Sequence, residues 1–153
     1  HSILMADGER AEAVCIPAGG SKEPVTADTL AARRNTITMP NGRMVAEGAR
    51  AGLRQLMARL VAESQVPLSA MGFFCLHQPN LPLTLQMLDD LQIPPGKAWI
   101  NFPRYGNTTS ATLPIALAEA AAAGALPAGG WLCLAAVGAG FAGAVQLVRW
   151  GRP

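Results

Sequence analysis

Two polar residues follow apolar segments, at positions where α/β proteins commonly carry catalytic groups. His77 comes directly after the apolar run 71–76, and Asn107 comes shortly after the apolar run 98–102. Because the carboxyl ends of neighbouring parallel strands meet at one edge of a sheet, we expect the two side chains to lie near a common point. An imidazole there can act as a general base. Alternatively, the imidazole and the carboxamide can both act as neutral hydrogen-bond donors to a developing oxyanion.

Each of these residues also has a purely structural interpretation. Asn107 precedes a predicted helix, and asparagine is a favoured N-cap residue. His77 is one of only two histidines, and a single histidine in a tight loop often does no more than make hydrogen bonds. Spacing alone leaves both interpretations open.

The elements that must position these residues are helices alternating with short apolar strands. Apolar residues recur at helical spacing in the first helix, with charged residues on its other side. We predict helices over 44–63, 81–91 and 108–123, and strands over 71–76, 98–102, 131–137 and 142–150. Asn80 is the expected N-cap of the second helix, with Pro82 in its first turn. This order predicts an α/β fold with a mostly parallel sheet, helices on both its faces and a final antiparallel pair.

Composition argues against several classes of protein. The chain has 153 residues, of which 50% are apolar and 14% charged, and this suits one layered α/β domain. The scattered Lys and Arg residues indicate no nucleic-acid partner, and no helix has the basic face of a membrane-surface protein. Residues 131–148 are apolar except for Gln146. The glycines within this stretch favour two strands and a turn over a transmembrane helix.

The ends and the cysteines of the sequence give further expectations. Cys15, Cys75 and Cys133 are far apart and belong to no CxxC pair or His/Cys cluster. They therefore predict no zinc or other metal site and no disulfide, but reduced thiols in a cytoplasmic protein. The chain begins at His1 with neither an initiator methionine nor a targeting peptide. We therefore expect a fragment, a processed product or part of a longer protein.

The glycine-rich segment 138–143 has the spacing GxGxxG, which is also found in dinucleotide sites. Only ten residues follow it, they have the pattern of a strand, and no acidic residue is among them. A tight turn offering backbone N–H groups is the favoured interpretation, and a small dinucleotide-binding protein is the weaker alternative.

Several motifs occur together and in a recognisable order. They are HQPN at 77–80, RYGNT at 104–108, LPIALAEA at 113–120, GAGFAG at 138–143 and QLVRW at 146–150, with PAGGS at 17–21 and MPNGR at 39–43 upstream. This series resembles the C-terminal half of β-ketoacyl-ACP synthase III, a condensing enzyme of the thiolase superfamily. The resemblance covers nearly the whole chain.

The resemblance implies a fold and a partner. The family joins two similar βαβαβαββ halves in a five-layered αβαβα sandwich and forms dimers. Residues 1–153 would be the C-terminal half, with a loop-rich segment 1–43 and a core 44–153 that carries the active-site His and Asn. The N-terminal half, on the same longer chain or on a separate subunit, would supply the nucleophilic cysteine.

The resemblance also implies site residues and a reaction. His77 and Asn107 would bind the carbonyl of a malonyl-type thioester and stabilise the enolate formed on decarboxylation. The backbone N–H of Ala139 would belong to the oxyanion hole, and Asn80 and Gly42 would contact the pantetheine arm. The enzyme would be an acyltransferase that performs a decarboxylative Claisen condensation in bacterial fatty-acid or polyketide biosynthesis. CoA or acyl-carrier-protein thioesters would be substrates, with no permanently bound cofactor.

Three departures from the family pattern qualify this expectation. Pro82 stands where the family often has an arginine that contacts the donor, and Ala46 stands where a bulky phenylalanine is usual. None of the three cysteines matches the nucleophile, so this chain alone is expected to be inactive. Two alternatives stay open, namely acyl transfer to an oxygen or nitrogen nucleophile with His77 as general base, and a non-catalytic partner subunit.

Overall fold

A mixed four-stranded sheet lies at the centre of the structure, a computed structural model that describes residues 1–151. The strands are β1 (Ser2–Ala6), β2 (Met71–Leu76), β3 (Trp131–Gly138) and β4 (Ala142–Arg149), in the spatial order β1-β4-β3-β2. β2 and β3 are parallel, whereas β3 with β4 and β1 with β4 are antiparallel. The α/β class is therefore confirmed, but the prediction of a mostly parallel sheet is wrong.

Two segments account for this difference. The predicted loop-rich segment 1–43 contains β1, which pairs Ile3 with Val145 and adds an antiparallel edge. The predicted strand 98–102 makes only one bridge, between Ala98 and Phe74 of β2. Beyond that bridge, the side chain of Gln78 takes the backbone hydrogen bonds of residues 99–102 that a strand ladder would have taken.

Five α-helices accompany the sheet within the described residues. They are α1 (Ala27–Ala31), α2 (Gly42–Ser64), α3 (Leu81–Asp90), α4 (Phe102–Tyr105) and α5 (Thr112–Ala122). The predicted helices at 44–63 and 81–91 are confirmed as α2 and α3. The third predicted helix begins four residues later than expected, because a short 3-10 turn, Thr109–Ala111, precedes α5.

Helices α2 and α3 cover one face of the sheet. The side chain of Asn41 caps α2 by accepting a hydrogen bond from the N–H of Met44 at 3.0 Å. Glycine lets α2 approach the strands closely, since a Cβ at Gly52 would lie 2.9 Å from Cε of Met5 in β1. The inner face of α2 supplies much of the main core: Leu53, Leu56, Met57 and Leu60.

Helix α5 lies on the other face and covers it only in part. Its Ala120 packs with Phe73 and Leu132 in a second, smaller core. Farther across the same face, Leu4 is 74% exposed and Val148 is 38% exposed. Ala144 pairs with Leu4 on one side and with Ala136 on the other. We call this surface, formed by Leu4, Ala136, Ala144 and Val148, the open sheet face.

The apolar stretch 131–148 forms β3, a glycine-containing turn and most of β4, which confirms the predicted pair of strands. No helix among residues 1–151 has both the length and the apolar character that crossing a membrane requires.

Candidate active site

His77 lies immediately after β2, at the sheet edge where the parallel strands β2 and β3 both end. Its backbone N–H donates to the carbonyl of Ala135 at 2.9 Å, which extends the β2–β3 ladder by one residue. The imidazole is about half-buried, and this burial lowers the pKa of His77 below its usual 6.5. The ring is therefore neutral at about pH 7.

A threonine hydroxyl connects His77 to the loop that precedes α5. Nδ1 of His77 lies 3.2 Å from Oγ1 of Thr112, the first residue of α5, and Thr112 is 1% exposed. The same hydroxyl lies 3.0 Å from Oγ1 of Thr108 and donates to the carbonyl of Thr109 at 2.9 Å. The imidazole is thus held by a buried hydroxyl that the loop itself orients.

Asn107 is exposed in this loop. Its Oδ1 accepts a hydrogen bond from the backbone N–H of Thr109 at 2.8 Å, so both hydrogens on Nδ2 are available to donate. Thr109 has a φ of 51°, a left-handed conformation that is costly for a β-branched residue. Asn107 and Thr112 hold the N–H and the carbonyl of Thr109 respectively and so stabilise this conformation.

The structure joins His77 and Asn107 through threonines. No hydrogen bond among residues 1–151 connects the two side chains directly. Asn107 is the neighbour of Thr108, however, and the hydroxyl of Thr108 reaches Thr112 and through it His77. His77 and the loop that bears Asn107 are therefore connected by hydrogen bonds at the edge of the sheet. The catalytic roles of the two residues stay predictions.

The other three predicted site residues occupy separate positions. Ala139 is exposed in the turn between β3 and β4, at the same sheet edge as His77 because β2 and β3 are parallel. Asn80 is the N-cap of α3, as predicted, and its Oδ1 accepts from the N–H of Leu83 at 2.8 Å. Gly42 is exposed at the start of α2. No hydrogen bond within the described chain connects Asn80 or Gly42 to His77.

A buried glutamine holds the segment that leads to Asn107. Gln78 is 1% exposed, and its Nε2 donates to the carbonyl of Trp99 at 2.8 Å. Its Oε1 accepts from the backbone N–H groups of Asn101 at 3.1 Å and Phe102 at 3.0 Å. This role was not predicted, although Gln78 lies within the HQPN motif.

A carboxylate from α5 holds the same segment from the other side. Glu119 accepts hydrogen bonds from Nδ2 of Asn101 at 2.8 Å, the hydroxyl of Tyr105 at 2.7 Å and Nε1 of Trp99 at 2.9 Å. It also pairs with Arg104 at 2.8 Å. The hydrogen bond from Asn101, followed by those from Tyr105 and Trp99, lowers the pKa of Glu119 from 4.5 to about 2.

The role of Glu119 was not predicted either, although one signal in the sequence indicates it. No other charged residue occurs between Arg104 and Arg149, so this carboxylate is isolated in an alanine-rich helix. A single charge in such a setting calls for partners from a neighbouring segment.

Two of the three cysteines lie in surroundings that suppress their reactivity. Burial raises the pKa of Cys75 and of Cys133 to about 12, so both remain protonated thiols near neutral pH. Cys15 is partly exposed and lies 3.5 Å from the hydroxyl of Thr38. Across residues 1–151, no three His, Cys, Asp or Glu side chains form a group that could hold a metal ion.

Comparison with known proteins gives the family of this chain. Residues 61–150 match the family model for the C-terminal part of 3-oxoacyl-[acyl-carrier-protein (ACP)] synthase III. The chain belongs to this family. The synthase III C-terminal domain seen here contains His77, Asn107 and Ala139 within the matched residues, whereas Gly42 precedes them.

Relatives and solved structures extend the match to almost the whole chain. The domain is 35% identical over 147 residues to β-ketoacyl-[acyl-carrier-protein] synthase III of Rhodopirellula baltica, covering 96% of this chain and 42% of that protein. It is 33% identical over 147 residues to the 3-oxopimeloyl-[acyl-carrier-protein] synthase of Rhodothermus marinus, again covering 96% and 42%. A crystal structure of a 3-oxoacyl-(acyl-carrier-protein) synthase III superposes with a TM-score of 0.90 at 30% identity, over 98% of this chain and 47% of that one. The synthase III of Thermus thermophilus gives 0.81 at 28% identity, over 98% and 45%. The chain therefore spans less than half the length of these relatives.

Proposed function

We propose that this chain is the C-terminal half of a condensing acyltransferase of the synthase III type, in which His77 and Asn107 form part of a Cys-His-Asn active site. One observation carries the proposal. A neutral, half-buried imidazole at a strand end is connected through Thr112 and Thr108 to the loop that bears Asn107. This arrangement ties two neutral polar residues to one connected loop and strand end, and stabilisation of an oxyanion requires donors that are held in place in this way.

The proposed reaction is a decarboxylative Claisen condensation. A cysteine of the N-terminal half carries the acyl group as a thioester. A malonyl-type thioester loses CO2, and the electron pair of the broken C–C bond forms an enolate whose oxygen is stabilised by Asn107 and His77. The enolate carbon then attacks the acyl carbonyl, whose oxyanion is bound by the N–H of Ala139. Collapse of this intermediate releases the cysteine thiolate and the 3-oxoacyl product.

Two observations support a second half that supplies the cysteine. The thiols of Cys75 and Cys133 are buried, with pKa values of about 12, and neither is suited to form a thioester. The open sheet face leaves Leu4 and Val148 exposed on a face that is otherwise covered by α5. An N-terminal half packed there would bury these residues and complete a five-layered αβαβα sandwich, which would then dimerise. Residues 1–43 and 44–153 would be its leading segment and core.

The proposed substrates are thioesters of CoA or of the phosphopantetheine arm of an acyl carrier protein. Asn80, with its Nδ2 available to donate, and Gly42 would contact that arm. Pro82, the second residue of α3, carries no charge at a position where an arginine would face the donor. We therefore expect other cations to bind the phosphates in this protein.

Separate measurement of the two half-reactions tests the proposal in the protein that unites this chain with its cysteine-bearing half. His77→Ala and Asn107→Ala should leave acylation of the cysteine largely intact. Decarboxylation of the malonyl thioester should fall by about a hundredfold or more in each, the usual loss of one oxyanion donor. Because the two residues act on the same oxygen, the double variant should lose much less than the product of the two effects. The exposed Asn35 offers a matched control, and Asn35→Ala should change neither step.

Acyl transfer to an oxygen or nitrogen nucleophile is the second candidate. The lowered pKa of His77 favours it, because a neutral imidazole can accept a proton from an alcohol or an amine. In that case His77→Ala abolishes turnover and Asn107→Ala has a mild effect. If neither substitution changes either half-reaction, both residues are only loop caps and the proposed site is wrong.

A further inference from the structure

The hydroxyl group of Thr112 has one proton and three polar neighbours. These are the carbonyl oxygen of Thr109 at 2.9 Å, Oγ1 of Thr108 at 3.0 Å and Nδ1 of His77 at 3.2 Å. A carbonyl oxygen can only accept, and it is the nearest of the three, so Thr112 donates its proton to Thr109. Toward its other two neighbours the Thr112 oxygen is then an acceptor with two lone pairs.

Both remaining neighbours must therefore donate. Thr108 does so by turning its own hydroxyl toward Thr112. His77 does so only if its proton is on Nδ1, since otherwise two lone pairs would face each other at 3.2 Å inside the protein. We infer that Thr112 is a positioning residue that places the single proton of the neutral His77 ring on Nδ1 and leaves Nε2 as a proton acceptor.

This inference deepens the proposed function and depends on it for its consequence at the substrate. With the proton on Nδ1, the resting ring cannot donate from Nε2, and Asn107 is then the only donor of the pair. Nε2 can donate after the ring gains a second proton. It can also donate once Nδ1 has released its proton to solvent, Nε2 has taken one up, and the Thr112 hydroxyl has turned from Thr109 to Nδ1. The Thr112 hydroxyl thus separates a base form of His77 from a donor form.

The position of the proton can be measured directly, without substrate and without activity. Long-range proton–nitrogen correlation spectra of the 15N-labelled chain distinguish a protonated ring nitrogen from a bare one. The sequence has only two histidines, and the exposed His1 provides an internal reference. At about pH 8, above the ordinary pKa of histidine, we expect Nδ1–H of His77 to exceed Nε2–H by about fivefold or more, as one hydrogen bond would give. A predominance of Nε2–H in the unaltered chain overturns the inference.

Three variants connect the proton position to the Thr112 hydroxyl. Thr112→Val keeps the shape of the side chain but removes the hydroxyl, and should raise the share of Nε2–H severalfold. Thr112→Ser keeps the hydroxyl and should preserve Nδ1–H. Thr108→Val is the matched control, because it removes a threonine hydroxyl that contacts Thr112 but not His77. An unchanged proton position in folded Thr112→Val, judged by its amide spectrum, contradicts the inference.

The result is independent of the proposed condensation. If the proton is on Nδ1 but His77→Ala leaves both half-reactions intact, the assignment of Thr112 stands and the proposed function fails. If the half-reactions respond as proposed but the proton is on Nε2, the proposed function stands and the assignment of Thr112 fails.

Discussion

The side-chain amide of Gln78 donates to the backbone carbonyl of Trp99 at 2.8 Å, in the place where the backbone of a neighbouring strand would donate. Its oxygen accepts two further backbone N–H groups, at 3.1 and 3.0 Å. One side chain thus replaces three backbone hydrogen bonds at the edge of β2. The segment can therefore leave the sheet and turn toward Asn107 without burying unpaired polar groups.

Replacing Gln78 by leucine should destabilise the fold strongly. Leucine is similar in size but leaves the backbone groups of Trp99, Asn101 and Phe102 without these partners. We expect the free energy of unfolding to fall by about 3 kcal/mol, the cost of leaving buried polar groups unpaired. Urea titration monitored by circular dichroism measures this free energy of unfolding. Gln55→Leu, at an exposed position of α2, is the control and should change stability little. Equal effects of the two substitutions would contradict the role assigned to Gln78.

Glu119 should give the fold a pH dependence that glutamine at the same position lacks. The pKa of Glu119 is lowered from its ordinary 4.5 to about 2 in the folded chain by hydrogen bonds from Asn101, Tyr105 and Trp99. A carboxyl with a lowered folded pKa stabilises the protein above its unfolded pKa, and this contribution is lost as the pH falls through the folded value. The Tm of the unaltered chain should therefore exceed that of Glu119→Gln by a constant amount above about pH 5, and the difference should shrink toward about pH 2. A difference in Tm that does not vary with pH would show that the charge of Glu119 contributes nothing.

The three thiols should differ sharply in reactivity. In the native chain, a maleimide should label Cys15, which is partly exposed, and leave Cys75 and Cys133 unmodified because both are buried. Mass spectrometry should therefore show one adduct before denaturation and three after it. Incubation with a radiolabelled acyl-CoA should give no thioester on any of them. Stoichiometric acylation of a cysteine in this chain would mean that the nucleophile is already present.

The open sheet face should cause the chain to self-associate when it is isolated from a second half. Leu4 is 74% exposed on this face, and Leu4→Glu should reduce association by placing a charge there. Ile37 is 72% exposed but lies outside the sheet, so Ile37→Glu adds the same charge and should leave association unchanged. Sedimentation velocity over a range of protein concentrations measures the self-association. An unaltered chain that stays monomeric throughout would argue against a packing surface here.

Local patterns were sufficient to predict α2, α3, β2 and the β3–β4 pair. Each depends on signals within a few residues, such as the helical spacing of apolar side chains along α2 or the Asn80 cap of α3. His77 could be singled out in the same way, since a histidine directly after an apolar strand is visible in the sequence. Asn107 was singled out by its place after the apolar run 98–102, and the family resemblance added its expected role. The structure connects its loop to His77 through two threonines.

Long-range contacts were beyond the reach of these patterns. Residues 98–102 have the composition of a strand, but the side chain of Gln78, more than twenty positions earlier, takes backbone hydrogen bonds that a strand ladder would have used. The sequence likewise contains nothing that distinguishes Thr112 from the other threonines of its segment. Its importance comes from the position of α5 on the sheet, which brings its hydroxyl to His77.

The pairing of β1 with β4 limits the order in which the strands can pair while the chain is being synthesised. Gln146 donates to Ser2 at 3.3 Å across 144 positions of sequence. On a ribosome, β1 emerges before its partner β4 and cannot pair with it until residues 7–141 and β4 itself have been made. The hairpin of β3 and β4 closes locally, and we expect it to form before β1 pairs with β4. Until then Leu4 lacks its partner Ala144 in β4, and an apolar strand with an unpaired edge is prone to aggregate.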